Sequence, residues 1–298
     1  MLNNKWKAKR FFLSRKPKRN GCNFFHHLTI NKTPNFDPQT YWEKRLKSNT
    51  GLTGVGYTLV GEHYNKWAYK IRKHVFNKIV TKNLKNLTNA DILDIGSGSG
   101  FYIDEWLTYH PNSITGIDIT EIAVSRLSEK YTDLKFHKLD ISDLTATQQT
   151  LKQKFHTISC MDVLFHIVDD EKYKLTFQSV AHLLDNGGYF IFSENFVHDQ
   201  STSLSHHKSR SKVEIEQLLA QNNFKIISRQ PFMYLMNEPV DSNNFILKWL
   251  WKITAIVCAK SALFGYLIGA ITFPVEKLLV SLFKESPTSE IVIAVKTK

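Results

Sequence analysis

Residues 92–100 (ILDIGSGSG) combine an apolar run with one acidic residue and three alternating glycines. The pattern predicts a buried strand that turns directly into a helix. Glycines at such a turn, here Gly96, Gly98 and Gly100, let backbone N–H groups approach a ligand without a Cβ in the way. The helix that follows directs further donors and the positive end of its dipole at the same place. This arrangement suits a nucleotide-like cofactor.

The spacing of the glycines separates the cofactor classes. A dinucleotide-binding turn needs G-x-G-x-x-G, whereas these glycines fall as G-x-G-x-G, and Phe101 stands where the third dinucleotide glycine belongs. The Lys-Ser or Lys-Thr pair of a Walker loop is also absent from the segment. The segment instead resembles motif I of the class I S-adenosylmethionine (SAM) methyltransferases, in which an acidic residue, here Asp94, precedes the glycines.

Two downstream segments predict strands that end in carboxylates. Residues 114–119 (ITGIDI) contain Asp118, which could accept hydrogen bonds from both hydroxyls of a ribose, as the acidic residue does in dinucleotide folds. Residues 136–141 (FHKLDI) contain Asp140. In the family that motif I resembles, an acidic residue at this strand end binds the adenine amino group, and the next backbone N–H meets the ring.

Two more segments extend the resemblance. Residues 155–166 predict a fourth strand that runs into the family's catalytic loop, and residues 183–188 (LLDNGG) resemble the turn before its fifth strand. The resemblance covers roughly residues 88–230, with a last strand near 289–296. It implies an α/β fold with a Rossmann-like, seven-stranded, mostly parallel sheet whose last strand is antiparallel.

The resemblance also implies which residues bind the cofactor, SAM. The expected residues at the strand ends and the glycine turn are Asp94, Gly96, Ser97, Gly98, Gly100, Tyr102, Asp118, Ile119, Asp140, Ile141 and Met161. Tyr57 and Tyr64 are further candidates, because a sulfonium cation can sit over an aromatic face. Ordinary packing of a helix is the alternative explanation for these two tyrosines.

Methyl transfer is an in-line displacement that needs an aligned acceptor and, where the acceptor carries a proton, a base. The loop after the fourth strand lies beside the methyl group in this fold. His166 is the first candidate for the base, because its unperturbed pKa lies near working pH; a structural histidine is the alternative. Asp162 and Glu194 are alternative bases or substrate ligands. The loop lacks the Asn/Asp-Pro-Pro-Tyr motif with which many base and amide methyltransferases hold a planar nitrogen.

The formal net charge of +12 is unevenly distributed. Nine positive charges and no acidic residue precede Asp37, which leaves the remainder only weakly basic. A basic tail over residues 1–36 could contact RNA, anionic lipid or an acidic glycan, or could act as a solubilising extension.

The three cysteines, Cys22, Cys160 and Cys258, form no C-x-x-C pair. This argues against a disulfide scaffold or a zinc site and agrees with a cytoplasmic location. His206 and His207 share a loop, but their spacing suits no known metal pattern, so no metal is expected. Arg210 in the same loop could hold an anionic substrate group.

The chain divides into four predicted regions. A basic tail (1–36) precedes an N-terminal helical cap (37–87), a SAM-binding domain (88–230), and an apolar insertion with the final strand (231–298). Within the last region, residues 245–283 are apolar enough to span a bilayer by length. However, the strands on either side are expected in one sheet, so both ends of the insertion must lie on the same side of a membrane.

The apolar insertion is therefore predicted to fold back as a helical pair, with Gly265, Gly269 and Pro274 marking breaks. It could cover the substrate pocket, form a homodimer interface, or make peripheral contact with a membrane surface.

The sequence predicts SAM-dependent methyl transfer to a small molecule, a sugar, a glycolipid or a secondary metabolite. O-methylation is favoured over N-methylation. Three alternatives stay open: an RNA-directed methyltransferase, favoured by the basic tail; a lipid methyltransferase at a membrane surface; and a non-catalytic module with the same fold.

Overall fold

A computed structural model describes residues 36–49, 51–198, 201–203 and 206–298. The basic tail predicted for residues 1–36 therefore lies outside the described residues, except for Phe36.

The described residues form ten strands: β1 (Asp91–Ile95), β2 (Ser113–Asp118), β3 (Lys135–Lys138), β4 (Phe155–Cys160), β5 (Leu184–Glu194), β6 (Phe196–Val197), β7 (Thr202–Ser203), β8 (Lys208–Ser211), β9 (Phe224–Met233) and β10 (Ser289–Lys296). They also form ten α-helices: α1 (Pro38–Ser48), α2 (Leu52–Val55), α3 (Gly61–Asn83), α4 (Phe101–Leu107), α5 (Glu121–Lys130), α6 (Leu144–Thr150), α7 (Asp170–Leu183), α8 (Lys212–Gln221), α9 (Phe245–Lys260) and α10 (Ala262–Leu282).

The central sheet has seven strands in the order β3-β2-β1-β4-β5-β10-β9. The pairs among β1 to β5 are parallel, and β10 runs antiparallel to both β5 and β9. This confirms the predicted fold class. The strand order reverses direction between β1 and β4, and in open α/β sheets the ligand crevice lies at the carboxyl ends of the strands at such a point.

The two faces of the sheet carry separate apolar cores, because successive side chains of a strand point to opposite faces. Leu93 on β1 packs with Phe177 of α7 and Ile215 of α8 on one face. Its neighbour Ile92 packs with residues of α3 and α4, among them Val75 and Trp106, on the other face. Helix α3 thus closes one side of the sheet and extends beyond it.

The apolar insertion forms the predicted helical pair, α9 and α10. The break between the helices is at Ser261, whose hydroxyl caps α10 by accepting the Phe264 N–H. The predicted break points were wrong, since Gly265, Gly269 and Pro274 all lie inside α10. Gly269 serves close packing instead, because a Cβ there would lie 2.4 Å from Cδ1 of Trp67 on α3.

Candidate active site

The turn from β1 into α4 forms a backbone cradle. Gly96 and Gly98 have φ values of 72° and 50°, a left-handed conformation that glycine adopts without steric cost. A Cβ at Gly96 would lie 2.3 Å from Val163 Cγ2, and one at Gly98 would lie 2.9 Å from Val55 Cγ1. The cradle therefore admits no side chain at either position without a shift of its neighbours.

Asp118 at the end of β2 is buried and fastened to this cradle. Its Oδ2 accepts the Gly98 N–H at 2.9 Å. Its Oδ1 accepts the Thr120 N–H at 2.9 Å and the Thr120 hydroxyl at 2.7 Å. Burial raises the pKa of Asp118, and these hydrogen bonds oppose the rise. Since an ionised carboxylate offers about four lone-pair sites, the group keeps some capacity to accept from a ligand.

Asp140, after β3, is more exposed. Its Oδ1 accepts the Ser142 N–H at 3.0 Å and the Ser142 hydroxyl at 2.6 Å. Its Oδ2 lies 3.2 Å from Nζ of Lys172. Leu139 and Ile141 on either side of Asp140 complete this end of the site.

One cavity at the carboxyl ends of β1, β2 and β4 brings most of the predicted cofactor residues together. Those that line it are Gly96, Ser97, Gly98, Tyr102, Asp118, Ile119, Asp140, Ile141 and Met161. The predicted catalytic residues Asp162 and His166 line the same cavity.

The remaining predicted residues do not line this cavity. Asp94 is buried behind the glycine turn, where Ser159 donates to its Oδ1 at 2.6 Å, and burial raises its pKa to about 7. Gly100 packs against Leu127 and Tyr131.

Tyr57 and Tyr64 do not cover the cavity as proposed from the sequence. Both rings instead pack against Trp251 of α9, at centroid distances of 5.3 and 6.4 Å. The Tyr57 hydroxyl also donates to Glu238 at 3.3 Å. The alternative explanation, helix packing, therefore describes their positions.

Glu194 is fully buried at the end of β5 and does not line the cavity. Tyr173 donates to its Oε2 at 3.1 Å, and the Asn195 N–H donates to its Oε1 at 2.8 Å. Burial raises its pKa to about 8. These contacts make Glu194 a part of the protein interior.

Helix α1 supplies cavity residues that the sequence interpretation missed. Pro38, Trp42 and Leu46 line the cavity from this helix. Their four-residue spacing places them on one helical face, and that spacing was the available signal. Tyr69 of α3 and Phe101 of α4 add two further aromatic rings.

Polar contacts hold α1 against α5. The carboxylate of Glu43 accepts the N–H groups of Glu121 and Ile122 at 2.9 and 3.2 Å, which satisfies the first turn of α5. Arg126 of α5 donates to the carbonyl of Leu46 at 2.8 Å. The wall of the cavity formed by α1 is thereby tied to the helix that follows Asp118.

His166 lies between α1 and the loop before β8. Its Nδ1 is 2.9 Å from the carbonyl oxygen of His206, and the edge of its ring contacts Trp42 at a centroid distance of 4.8 Å. Because a carbonyl only accepts, Nδ1 carries the proton and Nε2 is the free acceptor of the neutral ring. Burial lowers the pKa of His166 to about 3, so the ring is neutral at physiological pH.

Asp162 is paired with an arginine. Nε of Arg72 on α3 donates to Oδ2 of Asp162 at 2.8 Å, and both side chains are mostly buried. The Ser193 hydroxyl donates to Oδ1 at 3.2 Å. This pair joins the N-terminal cap to the loop after β4, and it leaves Asp162 with its charge already compensated.

Two observations test whether SAM fits this cavity. The hydroxyl of Tyr102 is buried and has no hydrogen-bond partner within the described part of the chain, so a polar group of a ligand would satisfy it. Gly96 and Gly98 line the cavity beside Asp118 without a side chain that would fill it. Together with the apolar side chains of Ile119, Leu139 and Ile141, these features fit the ribose, the adenine ring and the amino-acid part of SAM.

Among the described residues, no group of three or more His, Cys, Asp or Glu side chains could hold a metal ion.

Comparison with known proteins identifies a methyltransferase domain and the same fold. Residues 92–188 match the family model described as a methyltransferase domain. The chain is 29% identical over 107 residues to nodulation protein S of Azorhizobium caulinodans, a match that covers 35% of this chain and 49% of that protein. It is 26% identical over 180 residues to human arsenite methyltransferase, covering 54% of this chain and 47% of that protein. The chain thus spans about half the length of these curated relatives.

Solved structures agree with this match at the level of the fold. Magnesium protoporphyrin IX methyltransferase from Synechocystis with bound SAM superposes with a TM-score of 0.53 at 18% identity, covering 88% of this chain and 98% of that one. An N-methyltransferase from Bradyrhizobium japonicum in complex with S-adenosylhomocysteine gives a TM-score of 0.53 at 11% identity, covering 88% of this chain and 100% of that one. Residues 92–188 therefore form a methyltransferase domain, and the sheet has the class I, Rossmann-like topology of the SAM-dependent methyltransferases.

Proposed function

We propose that this protein transfers the methyl group of SAM to a hydroxyl oxygen of a small acceptor, such as a sugar, a glycolipid or a secondary metabolite. The observation that carries the proposal is a single cavity in which the Gly98–Asp118 cradle continues into a region lined by Trp42 and His166. The aromatic wall favours an acceptor with an apolar face, and the imidazole supplies one acceptor atom for a hydroxyl proton.

The cofactor end of the cavity has distinct roles for three residues. Asp118 accepts a hydrogen bond from the ribose, Asp140 accepts from the adenine amino group, and the orphan hydroxyl of Tyr102 bonds the amino-acid part. SAM, when bound, supplies an electrophilic methyl group on a positively charged sulfur.

At the acceptor end, His166 is proposed to orient the hydroxyl. Its Nε2 accepts the hydroxyl hydrogen bond while the His206 carbonyl fixes the ring through Nδ1–H. A pKa of about 3 makes His166 a weak base, so its contribution is alignment, and Nε2 takes the hydroxyl proton as positive charge builds up on the attacking oxygen in the transition state. Asp162 is proposed to hold the loop through Arg72, and Glu194 takes no part.

The first test is SAM binding. Titration calorimetry of the full chain with SAM should show binding that is weakened by Asp118→Asn. Absence of binding of both SAM and S-adenosylhomocysteine to the wild type would contradict the proposal and favour a non-catalytic module.

The second test identifies the acceptor atom. An acceptor screen with SAM labelled by ¹³C in the methyl group would report O-methyl and N-methyl products at separate chemical shifts. We expect O-methyl products and a fall in kcat of roughly 100-fold or more in His166→Asn, against no change in the exposed control His182→Asn. An exclusively N-methylated product would overturn the choice of oxygen but not the cofactor site.

Two further features belong to this proposal. A cytoplasmic location, inferred from cysteine usage in the sequence, is part of it. RNA as acceptor stays an alternative that rests on the charge of residues 1–36. Binding of RNA with a steep salt dependence, together with methylated RNA as product, would favour it over a small molecule.

A further inference from the structure

The hairpin of α9 and α10 presents a continuous apolar face to solvent. On α10, Phe264, Ile271 and Leu278 are 51%, 70% and 57% exposed, and their seven-residue spacing forms one stripe along the helix. On α9, Ile246, Trp249 and Ile253 are 64%, 51% and 38% exposed. A surface of this extent on a folded chain indicates an interaction site.

The opposite face of the hairpin is fastened to the rest of the protein. Gly269 packs against Trp67 of α3. Glu276, which is completely buried, accepts the backbone N–H groups of Tyr234 and Leu235 at 2.5 and 2.7 Å. The orientation of the hairpin is therefore fixed, and the apolar stripe is held outward.

The exposed charges of the hairpin itself have one sign. Residues 244–284 contain a single acidic residue, the buried Glu276. The basic residues of this segment are all exposed, namely Lys248, Lys252, Lys260, Lys277 and Lys284. An apolar stripe bordered by cations is complementary to anionic lipid headgroups above a hydrocarbon layer. A second copy of the same face would bring like charges together.

The topology fixes how such a face can meet a membrane. Among the described helices, α10 is long and apolar enough to cross a bilayer by length and composition alone. However, β9 and β10 before and after the hairpin are neighbours in one sheet, and α10 packs along α3. The hairpin can therefore enter a membrane only from one side and lie in its plane.

We propose that the α9–α10 hairpin docks this protein on the anionic surface of a lipid bilayer, with the apolar stripe in the interface and the lysines among the headgroups. This inference does not depend on the proposed methyl acceptor.

Vesicle flotation of the full chain tests the proposal. We expect binding to phosphatidylcholine vesicles that contain phosphatidylglycerol, and much weaker binding to phosphatidylcholine alone. The variant Phe264→Ser/Ile271→Asp/Leu278→Asp should lose the binding. The control Val213→Asp, at a residue of α8 that is 62% exposed, should keep it.

A charge variant separates the two contributions. Lys248→Gln/Lys277→Gln/Lys284→Gln should weaken binding to the anionic vesicles by roughly 100-fold, since each lysine near such a surface contributes about fivefold.

The three apolar positions are exposed, so an unchanged melting temperature and SAM affinity in the apolar variant will show that the fold is intact.

Two results would overturn the proposal. If the apolar variant floats as well as the wild type, the contact lies elsewhere, for instance in residues 1–36. If sedimentation without lipid shows a wild-type dimer that the apolar variant dissociates, and anionic vesicles fail to bind the wild type, then the stripe is an interface between two copies of the chain.

Discussion

The carboxylate of Asp118 offers a quantitative test of the cofactor site. It already accepts three hydrogen bonds, from the Gly98 N–H and from the N–H and hydroxyl of Thr120. With about four lone-pair sites in total, about one remains for a ribose hydroxyl. Asp118→Asn keeps the shape of the side chain but replaces one acceptor oxygen with an NH₂ group.

The substituted amide cannot satisfy both of its neighbours. If the amide nitrogen faces Gly98, it opposes the Gly98 N–H, which is also a donor. If it faces Thr120, it opposes the Thr120 N–H in the same way. In either orientation the ribose loses a charge-assisted hydrogen bond of about 1.5–3 kcal/mol. The affinity for SAM should therefore fall by roughly 10-fold to 150-fold.

Titration calorimetry with SAM and with S-adenosylhomocysteine measures this loss. Asp143→Asn is the matched control, since Asp143 caps α6 by accepting the Ala146 N–H at 2.9 Å and asparagine caps a helix about as well. Wild-type affinity in Asp118→Asn, at an unchanged melting temperature, would refute the assignment of Asp118 to the ribose.

Three predictions concern stability. Arg72→Gln breaks a mostly buried ion pair and should lower the unfolding free energy by about 3 kcal/mol. In a double-mutant cycle measured by urea denaturation, the variant Arg72→Gln/Asp162→Asn should lose less stability than the two single variants together, and strict additivity would contradict the pairing. Asp94 has a pKa of about 7 in the folded chain against 3.8 when unperturbed, so its proton stabilises the fold below about pH 4 and that stabilisation is lost as the pH rises to about 7. Chemical denaturation at a series of pH values should show that Asp94→Asn removes up to about 4 kcal/mol of this loss of stability. An unchanged dependence of the unfolding free energy on pH would disprove the raised pKa. Glu276→Gln leaves one acceptor oxygen for two N–H groups and should lower the unfolding free energy by about 1–3 kcal/mol. Proteolysis between residues 233 and 245 should become faster, whereas the exposed control Glu216→Gln should behave as wild type.

The elements around the cofactor were predictable because their signals are local. A left-handed turn favours glycine, so Gly96 and Gly98 mark the end of β1 in the sequence itself. The buried strand β2 is a short run that ends in Asp118, and Asp140 follows the edge strand β3. The resemblance of these segments to the methyltransferase family implied the sheet, including the antiparallel β10.

The acceptor side was not predictable in the same way, because its contacts join distant parts of the chain. Arg72 pairs with a residue 90 positions away, and no local pattern announces such a partner. Trp42 reaches the cavity because α1 is tied to α5, whereas Tyr57 and Tyr64 pack on α9. The pKa of His166 follows from its burial among groups of three separate segments.

The hairpin shows the same division. Its length, its apolarity and its return to the same side of the sheet are determined by the sequence, because helix length and strand pairing limit where the chain can go. Only the tertiary structure decides which face of α10 is exposed, since packing of Gly269 on Trp67 and the hydrogen bonds to Glu276 select one rotation of the helix. A helix that is apolar around most of its circumference has no periodicity that could indicate this choice.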